Sequence, residues 1–194
     1  GASANSHDEN EYQWIIDPID GTTNFIHGFP QYCISIALAH RGVVTQAVIY
    51  DPVRNDLFTA TKGAGAYLNE KRIRVTKLDR ISNALLGTGY VAGSARALDE
   101  YLKMYAIMGE RSQGVRRAGS AALDLAYVAC GRLDGFYEKG LKPWDIAAGA
   151  LMITESGGIV GEFSGESDYL YKGDVIAASP KIFGQMITLL TPFA

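Results

Sequence analysis

The chain opens polar, over residues 1–11, and then alternates apolar runs of strand length with turn-forming clusters. Residues 12–16, Tyr-Gln-Trp-Ile-Ile, predict a strand running into Asp17-Pro18, where proline lacks an amide hydrogen; regular pairing should end there and deliver Asp17 to a loop. Residues 32–39 and 43–50 are near-continuous apolar runs separated by Arg41-Gly42, which predicts a buried hairpin. A turn at Asp51-Pro52 through Asp56 leads into residues 57–61, and Gly63-Ala-Gly65 precedes a short hairpin over residues 67–73. Together these predict a mostly antiparallel sheet. The period then changes. Leu98, Leu102, Tyr105 and Met108 recur at helical spacing within residues 94–108, and residues 120–129 predict a second helix with Ala121, Leu125 and Val128 on one side. A strand over 133–138, a helix over 144–155 closed by Gly157-Gly158, a strand over 175–178 and a helix over 180–190 opened by Pro180 complete the pattern. With no repeat or linker between them, these elements predict one α/β domain over residues 1–194, a meander followed by layered strands and helices.

Composition narrows the partners. At 47% hydrophobic and 20% charged, the chain has enough apolar surface to fold, and a net charge of −3 supplies no basic field for nucleic acid. Cys33 and Cys130 stand far apart in apolar company, as buried free thiols do, which fits a reducing cytoplasm. No uncharged apolar run is long enough to predict a membrane span, and the opening residues lack the basic and apolar regions of an export signal.

The densest chemical signal is Trp14-Ile-Ile-Asp17-Pro-Ile19-Asp20-Gly21-Thr22-Thr-Asn24. Carboxylates at this spacing at the end of an apolar strand can converge on one point while the turn exposes the Ile19 carbonyl between them; taken alone, Asp-Pro and Asp-Gly read as turn residues. Such hard oxygens suit magnesium, which keeps part of its shell for water and phosphate. Gly21 permits close backbone approach, and the Gly21 and Thr22 amides with the Thr22 hydroxyl predict a small cradle for phosphate oxygens. A second cluster, Glu138-Lys-Gly-Leu-Lys-Pro143-Trp144-Asp145, sets one acid at a strand end and another at a helix start. Taken alone, Asp145 reads as a helix-capping acid and Glu138 as a surface charge. His7, His27 and His40 share no spacing for a metal or a nucleophilic relay.

Both clusters resemble signatures of one family. Asp17-Pro-Ile-Asp20-Gly-Thr22-Thr-Asn24 is similar to the first signature of the inositol monophosphatases, and Pro143-Trp-Asp145-Ile-Ala-Ala-Gly149 with Glu155-Ser-Gly157-Gly158 to the second, in the same order. The similarity continues through Tyr50-Asp-Pro52, Asn55-Asp-Leu57-Phe58, Gly63-Ala-Gly65-Ala66 and Gly119-Ser-Ala-Ala122, so it spans essentially the whole chain and points to the bacterial inositol-1-monophosphatase and extragenic suppressor branch. The resemblance implies the sugar-phosphatase fold, with alternating layers of helices and mostly antiparallel sheets. It also implies Mg2+ held by Asp17, Asp20, Asp145 and the Ile19 carbonyl, with phosphate on Gly21 and Thr22. The hydroxyls of a phosphorylated polyol would meet Glu138, Ser120, Ala121 and Arg116. It implies hydrolysis by in-line attack of a metal-activated water, with Thr22 and Asp20 serving the reacting water and phosphate, and a homodimer in the cytoplasm. In the family two helices and a hairpin come first, carrying a water-activating aspartate and a metal-bridging glutamate; no residue from Gly1 to Tyr12 stands in for them, because Asp8, Glu9 and Glu11 fall in an expected loop. The resemblance therefore implies that these 194 residues hold only part of the metal site.

Inositol-1-phosphate is the first expectation for the substrate. Fructose-1,6-bisphosphate, histidinol phosphate, a nucleotide 3′-phosphate and NADP share the same metal and phosphate motifs. Asp20-Gly-Thr22 also resembles the haloacid dehalogenase phosphatases, but their aspartates are one residue closer together and they have no Pro-Trp-Asp segment. A different class of role, partnership with RNA polymerase or transcription factors in ribosomal RNA synthesis, follows from the resemblance to the bacterial branch, with Gly114-Val-Arg116-Arg117 as a candidate surface.

Overall fold

Two sheets with helices between and outside them carry the chain. The structure, a computed structural model, describes residues 11–91 and 95–194; Asp8, Glu9, His7 and the expected helix start at Ser94 lie outside the described residues. Strand β1 (Tyr12–Asp20), the short helix α1 (Thr22–Ile26), β2 (Cys33–His40), β3 (Val43–Asp51), β4 (Asp56–Thr61), β5 (Gly65–Leu68) and β6 (Lys71–Arg72) come first, and the strands pair antiparallel in chain order. The expected meander is there. One expectation is corrected: the strand does not stop before Pro18. β1 continues to Asp20 through a register shift, since Asp17 pairs with Ser35 and Asp20 with Cys33. The extra residue is a bulge, the arrangement in which a strand tolerates proline.

The second half supplies β7 (Leu85–Thr88), α2 (Ala95–Arg111), β8 (Gly114–Arg116), α3 (Ala121–Ala129), β9 (Gly135–Glu138), α4 (Pro143–Glu155), β10 (Ile159–Gly161), α5 (Tyr169–Lys172), β11 (Val175–Ala178) and α6 (Pro180–Leu190). Its strands form a mixed sheet in the order β10-β11-β9-β7-β8, in which β7 runs parallel to both neighbours. Strand alternation divides the apolar residues between two cores. Phe136, Val175 and Ala177 face α3, α4 and the inner face of the first sheet, while Tyr137, Ile176 and Ala178 face α2 and α6 with Met104, Met108, Ile182 and Met186. The layers are sheet, helices, sheet, helices. The site lies where the first sheet, α3 and α4 converge. On the first sheet's other face, Tyr12, Trp14 and Ile16 pair with His40, Leu38 and Ile36, and Trp14 is 64% exposed; among the described residues nothing covers it.

Candidate active site

The bulge in β1 turns Asp17 and Asp20 toward the same space. Asp17 accepts the Ile19 amide at 3.0 Å, which holds the turn, and Asp20 enters the protein and is buried. There its Oδ2 accepts the Ser120 hydroxyl at 2.6 Å and the Ala122 amide at 2.8 Å, so one carboxylate ties β1 to the first turn of α3. Gly21 follows with φ +91°, and a Cβ there would sit 2.8 Å from the Gln31 carbonyl; only glycine fits this turn. The Thr22 hydroxyl donates to the Ile19 carbonyl at 3.0 Å. Asn24 donates to the Gln31 carbonyl at 2.8 Å and to the Ala118 carbonyl at 2.9 Å, fastening α1 to the segment that leads into α3.

Asp145 reaches the same space from α4. Its Oδ2 accepts the Lys142 amide at 2.8 Å, so it also serves as the acid at the third helical position that reaches back to cap its own helix. Asp17, Asp20 and Asp145 each present a ligand oxygen, and these atoms lie within 4.8 Å of one another. Two stretches of chain far apart in sequence thus build one all-oxygen cluster. All-carboxylate donors fit a hard divalent cation and suit neither copper nor zinc as well.

Crowding acids out of water opposes their charged forms. Burial pushes Asp20 up to about 6, against the pull of its bonds from Ser120 and Ala122. Asp145 is pushed up to about 7, first by burial and then by Asp20 and Asp17, against the Lys142 amide. Burial, then Asp20 and Asp145, push Glu138 up to about 8, against the pull of Arg117. Asp124 rises well above the usual carboxylate range through burial, then Glu138 and Asp20. Such a concentration of carboxyls held up in pKa around one cavity is what a bound cation would relieve.

A cavity of about 380 Å³ opens over this cluster. Asp17, Ile19, Asp20, Gly21, Thr22, Ser120, Ala121, Glu138 and Asp145 all line it. Arg116 does not: it lies on β8, exposed, with its guanidinium on its own strand's Val115 carbonyl, and Arg117 lines the cavity in its place. Asp124 and Thr88 also line it and carried no motif signal of their own.

Comparison with known proteins places this geometry in a family. The sequence profile of the inositol monophosphatase family matches residues 1–191. The chain belongs to that family. It is 51% identical over 181 residues to a protein of Neisseria meningitidis serogroup B named putative Nus factor SuhB, covering 93% of this chain and 69% of that one. With the Nus factor SuhB of Escherichia coli K12 the identity is 45% over 179 residues, 92% and 67% of the two chains. Among solved structures, the extragenic suppressor protein suhB of Bartonella henselae superposes with a TM-score of 0.89 at 42% identity, over 93% of this chain and 70% of that chain. The inositol monophosphatase of Anabaena superposes with a TM-score of 0.87 at 39% identity, over 94% and 76%. The layered α/β architecture of the family is therefore the architecture of this chain.

Proposed function

We propose that the chain belongs to a Mg2+-dependent phosphatase acting on a small phosphorylated polyol, inositol-1-phosphate first. The observation that carries this is the meeting of Asp17, Asp20 and Asp145 within 4.8 Å beside the glycine turn at Gly21. Bound Mg2+ would supply Lewis acidity to the phosphoryl group and to the attacking water. In this reading Asp17, Asp20, Asp145 and the Ile19 carbonyl hold the cation. Gly21 and Thr22 seat the phosphate, and the Thr22 hydroxyl, fixed on Ile19, aligns the nucleophilic water by hydrogen bonding. Ser120, Ala121 and Glu138 meet the polyol. Asp20 acts twice, as ligand and as the anchor of α3, so the polyol wall and the metal wall move together. Family membership, the Anabaena relative named as an inositol monophosphatase, and the donor chemistry support the reading.

The test is phosphate release from inositol-1-phosphate with and without Mg2+, by wild type and Asp145→Asn. Substitutions around metal ligands typically cost 10- to 100-fold, so loss of a ligand should lower turnover by at least about 100-fold and raise the Mg2+ requirement. Equal turnover by both proteins, or turnover in chelator, would refute the assignment.

A second role has its own support, because the curated relatives from Neisseria and Escherichia carry the name Nus factor SuhB. We infer a partnership with RNA polymerase or its factors that does not need hydrolysis. Asp17→Asn should then abolish phosphatase activity yet still co-purify with RNA polymerase. The same reading has the protein act in the cytoplasm as a homodimer. Two free cysteines suit that compartment, and no described helix is long and apolar enough to cross a membrane.

A further inference from the structure

The floor of the cavity contains a second pair of acids. Gly87, in β7, and Gly89, just beyond it, occupy alternate positions and therefore share a face. A Cβ at Gly89 would fall on the Glu138 carboxyl, and one at Gly87 would meet Leu133 at 2.9 Å and Phe136 at 3.3 Å, with Cγ of Asp124 beside them at 3.4 Å. The missing side chain at Gly89 makes room for the Glu138 carboxyl, and Asp124 rests against the same strand at Gly87. Glu138 is a family-implied contact. Asp124 is not accounted for.

Asp124 is 2% exposed and lines the cavity, yet its carboxyl makes no hydrogen bond or ion pair with any described residue. Buried carboxyls without partners are rare, because desolvation is left uncompensated. Capping hydrogen bonds do not explain it: Ser120 accepts the Leu123 amide and Asp20 the Ala122 amide, while Asp124, in the first turn of α3, bonds no helix amide. Metal binding does not explain it either, since the one group of described acids with ligand spacing is Asp17, Asp20 and Asp145. An anion would be repelled by Glu138 and Asp20, which already oppose the charge on Asp124. The partner that fits is neutral and hydrogen-bonding. A hydroxyl both donates and accepts, so it satisfies this carboxyl in either protonation state.

We propose that Asp124 and Glu138 form a two-carboxyl floor for neighbouring hydroxyls of the substrate, and that Asp124 is a specificity-determining residue selecting polyol phosphates over phosphomonoesters without hydroxyls. This rests on the phosphatase reading and adds a residue to it. Positions two residues apart along a strand are roughly 7 Å apart, so acids resting against Gly87 and Gly89 offer neighbouring sites to the hydroxyls of one ring.

The experiment compares wild type, Asp124→Asn and Asp124→Leu in the full chain, with Mg2+, on inositol-1-phosphate and on phenyl phosphate, which has no hydroxyl. Loss of one substrate hydrogen bond should raise KM for inositol-1-phosphate roughly tenfold in Asp124→Leu and less in Asp124→Asn, with phenyl phosphate changed by less than about twofold. Asp124→Asn should melt no lower than wild type, since no protein partner is lost. Equal losses on both esters, or none on either, would overturn the proposal, as would a fall of several degrees in the melting temperature of Asp124→Asn with both esters equally affected. If wild type hydrolyses neither ester, as a chain holding only part of the metal site would, calorimetric titration with inositol decides: weaker binding by the Asp124 variants supports the floor, and equal or absent binding refutes it.

Discussion

At the scale of single residues, the site is shaped as much by missing side chains as by acids. Gly89 has no positive φ to justify it; its reason is the Glu138 carboxyl that lies against its Cα. Gly89→Ala must push that carboxyl aside, and it is buried between β9 and the cavity, so the move displaces a substrate-facing group. Overpacking of this kind typically costs about 1–3 kcal/mol. We expect Gly89→Ala to lower the melting temperature and to raise KM for inositol-1-phosphate while leaving Mg2+ affinity near that of wild type, because the cluster of Asp17, Asp20 and Asp145 is not touched. Unchanged KM with unchanged stability would show that Glu138 is free to swing. Gly21 differs in kind: φ +91° and the nearby Gln31 carbonyl oppose any side chain there.

At the scale of elements, the site depends on α1 and α3 being locked together, and Asn24 supplies the lock. Its amide group donates to the Gln31 and Ala118 carbonyls, and Gly119, with φ +91°, packs so close that a Cβ would meet that amide at 2.7 Å. Asn24→Ala leaves partly buried carbonyls unpaired, at about 1–3 kcal/mol. The segment before Ser120 should loosen, and with it the bond from Ser120 to Asp20; thermal melting together with Mg2+ titration would register both, and a variant that matches wild type in each would refute the coupling. Elements also show what could be read beforehand. The hairpins of the first sheet, the helices α3, α4 and α6, and the acids Asp17, Asp20, Glu138 and Asp145 were all visible, because long apolar runs and two dense motifs declare themselves locally. The bulge in β1 was not, since proline signals a break in pairing but not whether the strand resumes. Strands β7, β8 and β10 are too short to show a period of two. The arginine beside the cavity was missed for a related reason. Neighbouring residues point to opposite sides of an extended segment, so naming Arg116 and not Arg117 required the phase of a three-residue strand that sequence pattern does not set. Asp124 reads as an ordinary helical acid until the cavity it lines is seen.

At the scale of the whole molecule, two unsatisfied surfaces stand out, one apolar and one acidic. The apolar one is the outer face of the first sheet, where Trp14 is 64%, Ile16 43% and Ile34 38% exposed. A polypeptide of these 194 residues made alone should self-associate through that face, and paired Trp14→Lys and Ile16→Lys should return it to a monomer by light scattering; a wild-type monomer at micromolar concentration would contradict this. The acidic surface is the cavity. Asp20 at about 6, Asp145 at about 7 and Glu138 at about 8 all lie above ordinary carboxylate values, first because they are buried. For acids raised in this way the folded state favours the protonated form, so their contribution to stability is complete below the ordinary carboxylate range and is lost as pH climbs through about 6 to about 8. In chelator, therefore, the melting temperature should fall between pH 5 and pH 8.5. Cation binding runs the other way, because it needs ionised oxygens and cancels their repulsion. A ligand at a hundred times its dissociation constant stabilises by about 2.7 kcal/mol, so saturating Mg2+ should raise the melting temperature more at pH 8.5 than at pH 5. A chelated protein that grows more stable toward alkaline pH, or an Mg2+ shift of equal size at both values, would mean that Asp20 and Asp145 are not the cation's ligands. The Asp145→Asn protein is the internal control: with one acid neutral at every pH, its alkaline loss should shrink and its response to Mg2+ should shrink with it.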